Sequence, residues 1–169
     1  MSIPVARPVQ IAWVTRDLDA TETALTSLLG AKKWVRLPDV HFGPDACTYR
    51  GRPADFVAHI SLSYVGDMQL ELIEPVRGEN IYSDFLRDSG PGLHHICIEV
   101  PEAGGEEGFA AALAAATDSG APVVQEGVMP GGMRFAYVSA PQAGVPFLEI
   151  AYIPPGIRAF FDYVKQEQR

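Results

Sequence analysis

The sequence predicts an α+β protein made of two tandem β-α-β-β-β modules followed by a C-terminal helix. The same order of strand-like and helix-like segments occurs twice along the chain. LELIEPVRG closes one copy and FLEIAYIPPG the other, the clearest trace of a duplication. In both copies the strand segments alternate large apolar residues with smaller or polar ones, so that one face can be covered by helices. One domain over 1–169 is expected. Its first module covers 8–76, a linker 77–92, the second module 93–154 and the last helix 155–169.

The first module opens with VQIAWV, a strand, and continues into RDLDATETALTSLLGA, a helix in which Asp19 and Glu22 have the spacing of an N-terminal capping box. Three strand-like stretches follow, KKWVRL, a segment around FVAHISLSYV, and MQLELIEP. GENIYSDFLRDSGPG joins the copies, and its IYSDFLRDS part reads as a short helix that Gly and Pro end. The second module repeats the plan. HHICIEV is its strand, PEAGGEEGFAAALAAATDSGA its helix with acidic residues in the first turn, and APVVQEGV, MRFAYVSA and VPFLEIAYI its remaining strands. Gly131 and Gly132 make the turn before the middle one. The tail, IRAFFDYVKQEQR, places Ile157, Phe160, Phe161 and Val164 at helical spacing, a packing face.

With 169 residues and 47% hydrophobic content, the chain is long and apolar enough to bury a substantial core. A net charge of −8 argues against the basic footprint that nucleic acids require. The longest apolar runs fall short of a membrane span, and MSIPVARPV lacks the charged and apolar regions of a signal peptide, so a cytoplasmic protein is expected. Cys47 and Cys97 lack C-x-x-C spacing and read as reduced thiols.

Side-chain alternation singles out four residues. In the first strand Gln10, Ala12 and Val14 share a face, opposite Ile11 and Trp13. In HHICIEV, His95, Cys97 and Glu99 share one, opposite His94, Ile96, Ile98 and Val100. Glu71 sits with Gln69 and Ile73, and Glu149 with Phe147 and Ala151, while the leucines and isoleucines between them face the helices. Gln10, Glu71, His95 and Glu149 therefore occupy the uncovered face at matching points of four strands. A carboxylate or imidazole buried there costs several kcal/mol unless it is satisfied. A lone histidine in such a strand is usually a hydrogen-bonded core residue, but four polar residues at equivalent positions of duplicated units converge by symmetry. A shared divalent metal satisfies all of them. The O/N donor set suits Zn, Mn, Co, Ni or Fe(II), with Mg a weaker fit, and its two carboxylates neutralise a dication. Four protein ligands leave two adjacent positions for water or substrate on an ion that prefers six.

The paired modules, the strand HHICIEV, and LELIEP and FLEIAYI at the two ends resemble the vicinal oxygen chelate superfamily, which includes glyoxalase I, methylmalonyl-CoA epimerase, extradiol dioxygenases and bleomycin-resistance proteins. The resemblance runs from Pro8 to Pro154 and implies a cup-shaped mixed sheet of glyoxalase type. NIYSDFLRDSGPGLHHICIEV is most similar to the methylmalonyl-CoA epimerase branch. The order Gln, Glu, His, Glu is instead similar to one class of glyoxalase I, and epimerases of this type usually carry His and Gln where this chain has Gln10 and Glu71.

The resemblance implies a metal-dependent isomerase or epimerase that abstracts a proton next to a carbonyl of a small carboxylate or acyl thioester. The base would be Glu149 or Glu71. The alternatives are a glyoxalase I-type lyase and a non-catalytic protein that binds a small molecule. Family members often dimerise, so a homodimer is expected, with a small-molecule substrate and neither nucleic acid nor membrane as partner. His59, alternating with Ser61 and Ser63, and Arg134 in GGMRFAYV are candidate substrate-pocket residues. Lys32, Lys33, Arg36, Arg50 and Arg52 are the basic residues available to a CoA phosphate.

Overall fold

The computed structural model of the chain describes residues 6–169, so the start of the MSIPVARPV stretch lies outside the described residues. In chain order its elements are β1 (Arg7–Val14), α1 (Leu18–Leu29), β2 (Val35–Phe42), β3 (Cys47–Tyr49), β4 (Arg52–Pro53), β5 (Phe56–Val65) and β6 (Met68–Arg77). After α2 (Ile81–Ser89) come β7 (Gly92–Glu99), α3 (Gly105–Asp118), β8 (Val123–Val128), β9 (Arg134–Ser139), β10 (Phe147–Tyr152) and α4 (Pro155–Gln166). The strands form a single curled mixed sheet in the order β2-β5-β6-β1-β7-β10-β9-β8-β3-β4. This is the glyoxalase-like α+β architecture with a C-terminal helix.

The register shows how the duplication builds the centre. β1 and β7 run antiparallel side by side, and each has the closing strand of its own half as a parallel neighbour on the other side. Ala12 lies opposite Glu71, and Cys97 lies opposite Glu149. In both halves the closing glutamate is thus level with a small residue two positions beyond the polar residue of the opening strand, Gln10 or His95. The four side chains meet because the halves use the same register.

Helices cover the outer face. α3 packs Phe109, Ala112 and Ala116 against Ile98, Val138 and Ile150, its alanines allowing close approach to the strands. α1 lies over β6, where Leu70 and Leu72 are buried. It starts two residues earlier than the Asp19–Glu22 spacing suggests: Asp17 is the N-cap and accepts from the Ala20 N–H at 3.0 Å. Asp19, already inside the first turn, and Glu22 hold the Arg36 guanidinium instead.

The inner face carries Phe42, Phe56, Ile60, Leu62 and Phe135, and α2 and α4 pack across it with Tyr82, Leu86 and Val164. Asn80 caps α2, accepting from the Tyr82 and Ser83 N–H groups at 2.8 and 2.9 Å. Gly78 makes the approach to α2 possible. Its φ is +86°, and a Cβ there would lie 2.2 Å from the Asp55 carbonyl oxygen. One element departs from the three strands expected after α1: the β3–β4 hairpin leaves its own half and pairs with β8, Cys47 opposite Gly127, at the far edge of the sheet. Short strands inserted between β2 and β5 carry too few residues for a periodic pattern to show. No helix among the described residues is long and apolar enough to cross a membrane.

Candidate metal centre

Gln10, Glu71, His95 and Glu149 come together on the inner face of the four central strands. His95 Nε2 lies 2.9 Å from Glu149 Oε2 and 3.6 Å from Glu71 Oε1, and 3.2 Å from Gln10 Oε1. One ligand atom from each of Glu71, His95 and Glu149 falls within 4.8 Å of the others. The Gln10 amide is oriented from behind: its Nε2 donates to Gln69 Oε1 at 2.5 Å and to Glu71 Oε2 at 3.2 Å, which turns Oε1 toward the imidazole.

The electrostatics fit a bound dication. Burial raises the Glu71 carboxyl well above its ordinary range, and the nearby Glu149 charge raises it further. Burial also pushes Glu149 up to about 8 and lowers His95 to about 3. Among the described residues the only basic side chain within 4.0 Å of either carboxylate is His95, which burial keeps uncharged. Two carboxyls whose ionisation burial opposes, around an imidazole that burial keeps uncharged and with no lysine or arginine to pair with them, form a set that a divalent cation would hold as ionised ligands. All donors are oxygen or imidazole nitrogen, as Zn, Mn, Co, Ni or Fe(II) would accept.

His94 departs from the alternation expected of β7. Pairing shifts between Ala12 and Trp13, whose partners are His95 and Leu93, so His94 is an extra residue in a β-bulge. The bulge turns two consecutive histidines inward. His94 is fully buried against Phe85 and Phe147, and its Nδ1 lies 2.8 Å from His95 Nδ1. Were His95 Nε2 to hold a metal, its Nδ1 would carry the proton and donate to His94, which would fix the tautomer and the ring plane. The His94→Phe variant is expected to fold with metal affinity about 10- to 100-fold lower, read by competition against a chromophoric chelator. Unchanged affinity would show that His94 only packs.

The sequence signalled His95 but not its surroundings. Tyr137, level with Glu149 on β9, meets the His95 ring edge to face with centroids 4.8 Å apart, and its hydroxyl is 2.6 Å from that of Tyr82. Tyr82 arrives from α2, in the stretch read as a linker. Gln69 shares the Glu71 face, so its position was legible although its role was not.

His59 and Arg134 are not part of the cup, which corrects their assignment to the substrate pocket. On β5 the inward residues are Ile60 and Leu62, so His59 points outward, its Nδ1 accepting from the Asp39 N–H at 3.0 Å. On β9 Phe135 and Tyr137 point inward, and Arg134 faces α3, pairing with Glu106 at 3.3 Å. Each sits one residue off the inward phase of its strand.

Above the quartet the inner face encloses a cavity of about 390 Å³ whose walls include Glu71, Tyr82, Tyr137 and Glu149.

The profile of the Glyoxalase/Bleomycin resistance protein/Dioxygenase superfamily matches residues 9–137. No curated protein matches significantly. Among solved structures, methylmalonyl-CoA epimerase from Mycobacterium tuberculosis is similar over 94% of this chain and 94% of its own, with TM-score 0.61 and 17% identity. A Streptomyces coelicolor methylmalonyl-CoA epimerase variant, solved in complex with 2-nitronate-propionyl-CoA, is similar over 88% and 95% with TM-score 0.58 and 18% identity. A hypothetical protein from Bacillus halodurans C-125 is similar over 89% and 96%, with TM-score 0.57 and 19% identity. At these identities the likeness establishes a shared fold.

Proposed function

Since the chain belongs to the glyoxalase/bleomycin resistance protein/dioxygenase superfamily, we propose that it is a metal-dependent isomerase or epimerase that abstracts a proton next to a carbonyl. The observation that carries this reading is the placement of Glu71 and Glu149 on the two strands flanking the central pair, both bordering one cavity and both within 3.6 Å of His95 Nε2. The fold shared with methylmalonyl-CoA epimerases supports it. Gln10, Glu71, His95 and Glu149 would hold the cation, which when bound supplies an electrophile for the substrate's oxygens and stabilises the charge that develops there.

The rest of the chemistry belongs to the side chains. Glu149 or Glu71 accepts the proton, as the C–H bond breaks and its electron pair moves onto the carbonyl oxygen. Glu149 and Glu71 approach from opposite flanks. Return of a proton to the same carbon from the other flank inverts it; return to the former carbonyl carbon, with the proton of the adjacent hydroxyl passing to the enolate oxygen, isomerises a hydroxycarbonyl substrate. The apolar walls keep bulk water from the carbanionic carbon.

Deuterium exchange tests this reading. With protein reconstituted in cobalt or zinc, hydrogen next to the carbonyl of at least one member of a panel of acyl-CoA thioesters, 2-oxoaldehyde thiol adducts and hydroxyketones should wash out at least about a hundredfold faster than with metal alone. Binding without exchange across the panel would replace the enzyme with a sequestering protein.

A further inference from the structure

Resting on that reading, we infer that the group taken into the cup is uncharged and apolar: a neutral carbonyl compound with a second oxygen on the adjacent carbon and an aryl or branched alkyl body, not a substrate that brings a carboxylate of its own. The wall composition is the first ground. Among the described residues the only charged ones bordering the cavity are Glu71 and Glu149, and the rest of the wall is dominated by side chains such as Leu37, Val40, Phe42, Phe135, Phe160 and Phe161. Four basic residues on elements that line the cavity are engaged elsewhere. Arg36 is held by Asp19 and Glu22, Arg158 by Glu99, Lys165 by Asp67 and Arg134 by Glu106.

Charge balance is the second ground. Gln10 and His95 contribute neutral donors, so the two glutamates already cancel the charge of a dication. A carboxylate entering from solvent would leave a net negative charge in an apolar enclosure, with no cation among the described wall residues to offset its lost hydration. A neutral hydroxyketone meets no such penalty.

Size and hydrogen bonding narrow the class. A cavity of about 390 Å³ suits a ring with a short side chain. The Tyr82 and Tyr137 hydroxyls, 2.6 Å apart, share one hydrogen bond that uses one of their two protons. The other O–H is left to donate to a substrate oxygen.

Calorimetric binding of two ligands of like size, 2-hydroxy-1-phenylpropan-1-one and mandelate, tests the inference on zinc-loaded and metal-free protein, with methylmalonate as a third ligand. The neutral ketone is expected to bind at least about tenfold more tightly than either anion in both forms. Phe160→Arg, which places a cation on the partly exposed rim, should narrow or invert that preference. Equal or tighter binding of an anion by the wild type, or no ketone binding at millimolar concentration, would overturn the inference. Deuterium exchange in the same samples keeps the two readings apart. Exchange confined to an anionic substrate overturns this inference and leaves proton abstraction standing, whereas ketone binding without exchange supports the specificity and removes the enzyme.

Discussion

The Glu149→Gln variant is expected to fold, to bind divalent metal at least about tenfold more weakly and, at saturating metal, to lose at least about a hundredfold in exchange of the substrate's hydrogen. The change is nearly isosteric. It replaces a carboxylate buried 2.9 Å from His95 Nε2 with an amide that has one oxygen to offer a metal and no basicity to accept a proton. Glu71→Gln removes the matching carboxylate on the opposite flank and should weaken metal binding similarly. At saturating metal the two variants separate the roles. The one that recovers exchange has lost only a ligand, and the one that does not has lost the base. Metal titration and exchange followed by proton NMR read both effects. Wild-type exchange in both variants would place the base elsewhere.

The metal-free protein is expected to lose stability as pH rises from about 6.5 to about 8, whereas the metal-loaded protein should gain it. The ordinary value of a glutamate is 4.5, and burial holds Glu149 at about 8 in the folded state. Below 4.5 both folded and unfolded chains keep this proton, so the contribution is fully present. Above it the unfolded chain ionises first, and stability falls by about 1.4 kcal/mol per pH unit for one proton until the folded group ionises too. Glu71, raised in the same direction, adds to the loss. His95 works from the other side. Held at about 3 against an ordinary 6.5, it contributes stability that is complete above 6.5 and is lost as pH falls toward 3. The two contributions oppose each other between 4.5 and 6.5, leaving the window above 6.5 to the glutamates. Metal binding displaces their protons and strengthens with pH. Urea unfolding at pH 6.5 and 8, with chelator or with saturating zinc, should therefore show opposite pH trends. The same trend in both would contradict a shared site.

Much of this arrangement was legible before the structure. Period-two alternation indicated which face Gln10, Glu71, His95 and Glu149 occupy, because each alternates with large residues that had to face the helices. The duplication then made their convergence an expectation. Where regular alternation or local spacing was the only guide, it failed for physical reasons. His94 turns inward because of a bulge, which depends on the pairing of β7 with β1 and leaves no mark in HHICIEV. His59 and Arg134 share their strands with apolar residues on both faces, so alternation alone did not say which face was inward. Tyr82 reaches the centre from a helix between the modules, steered by the Gly78 turn and the Asn80 cap. The hairpin at Cys47–Pro53 completes the sheet edge of the other half, a contact that no local pattern encodes.

Elemental analysis of the chain, purified without a histidine tag and then dialysed against zinc, cobalt, nickel, manganese and iron(II) in turn, tests the four-residue cup most directly. We predict about one tightly held ion per chain for at least one of these metals, lost in the Glu71→Gln and Glu149→Gln variants. A folded wild-type protein that retains none of them would contradict a metal centre and leave the quartet as a neutral polar floor beneath an apolar binding cavity.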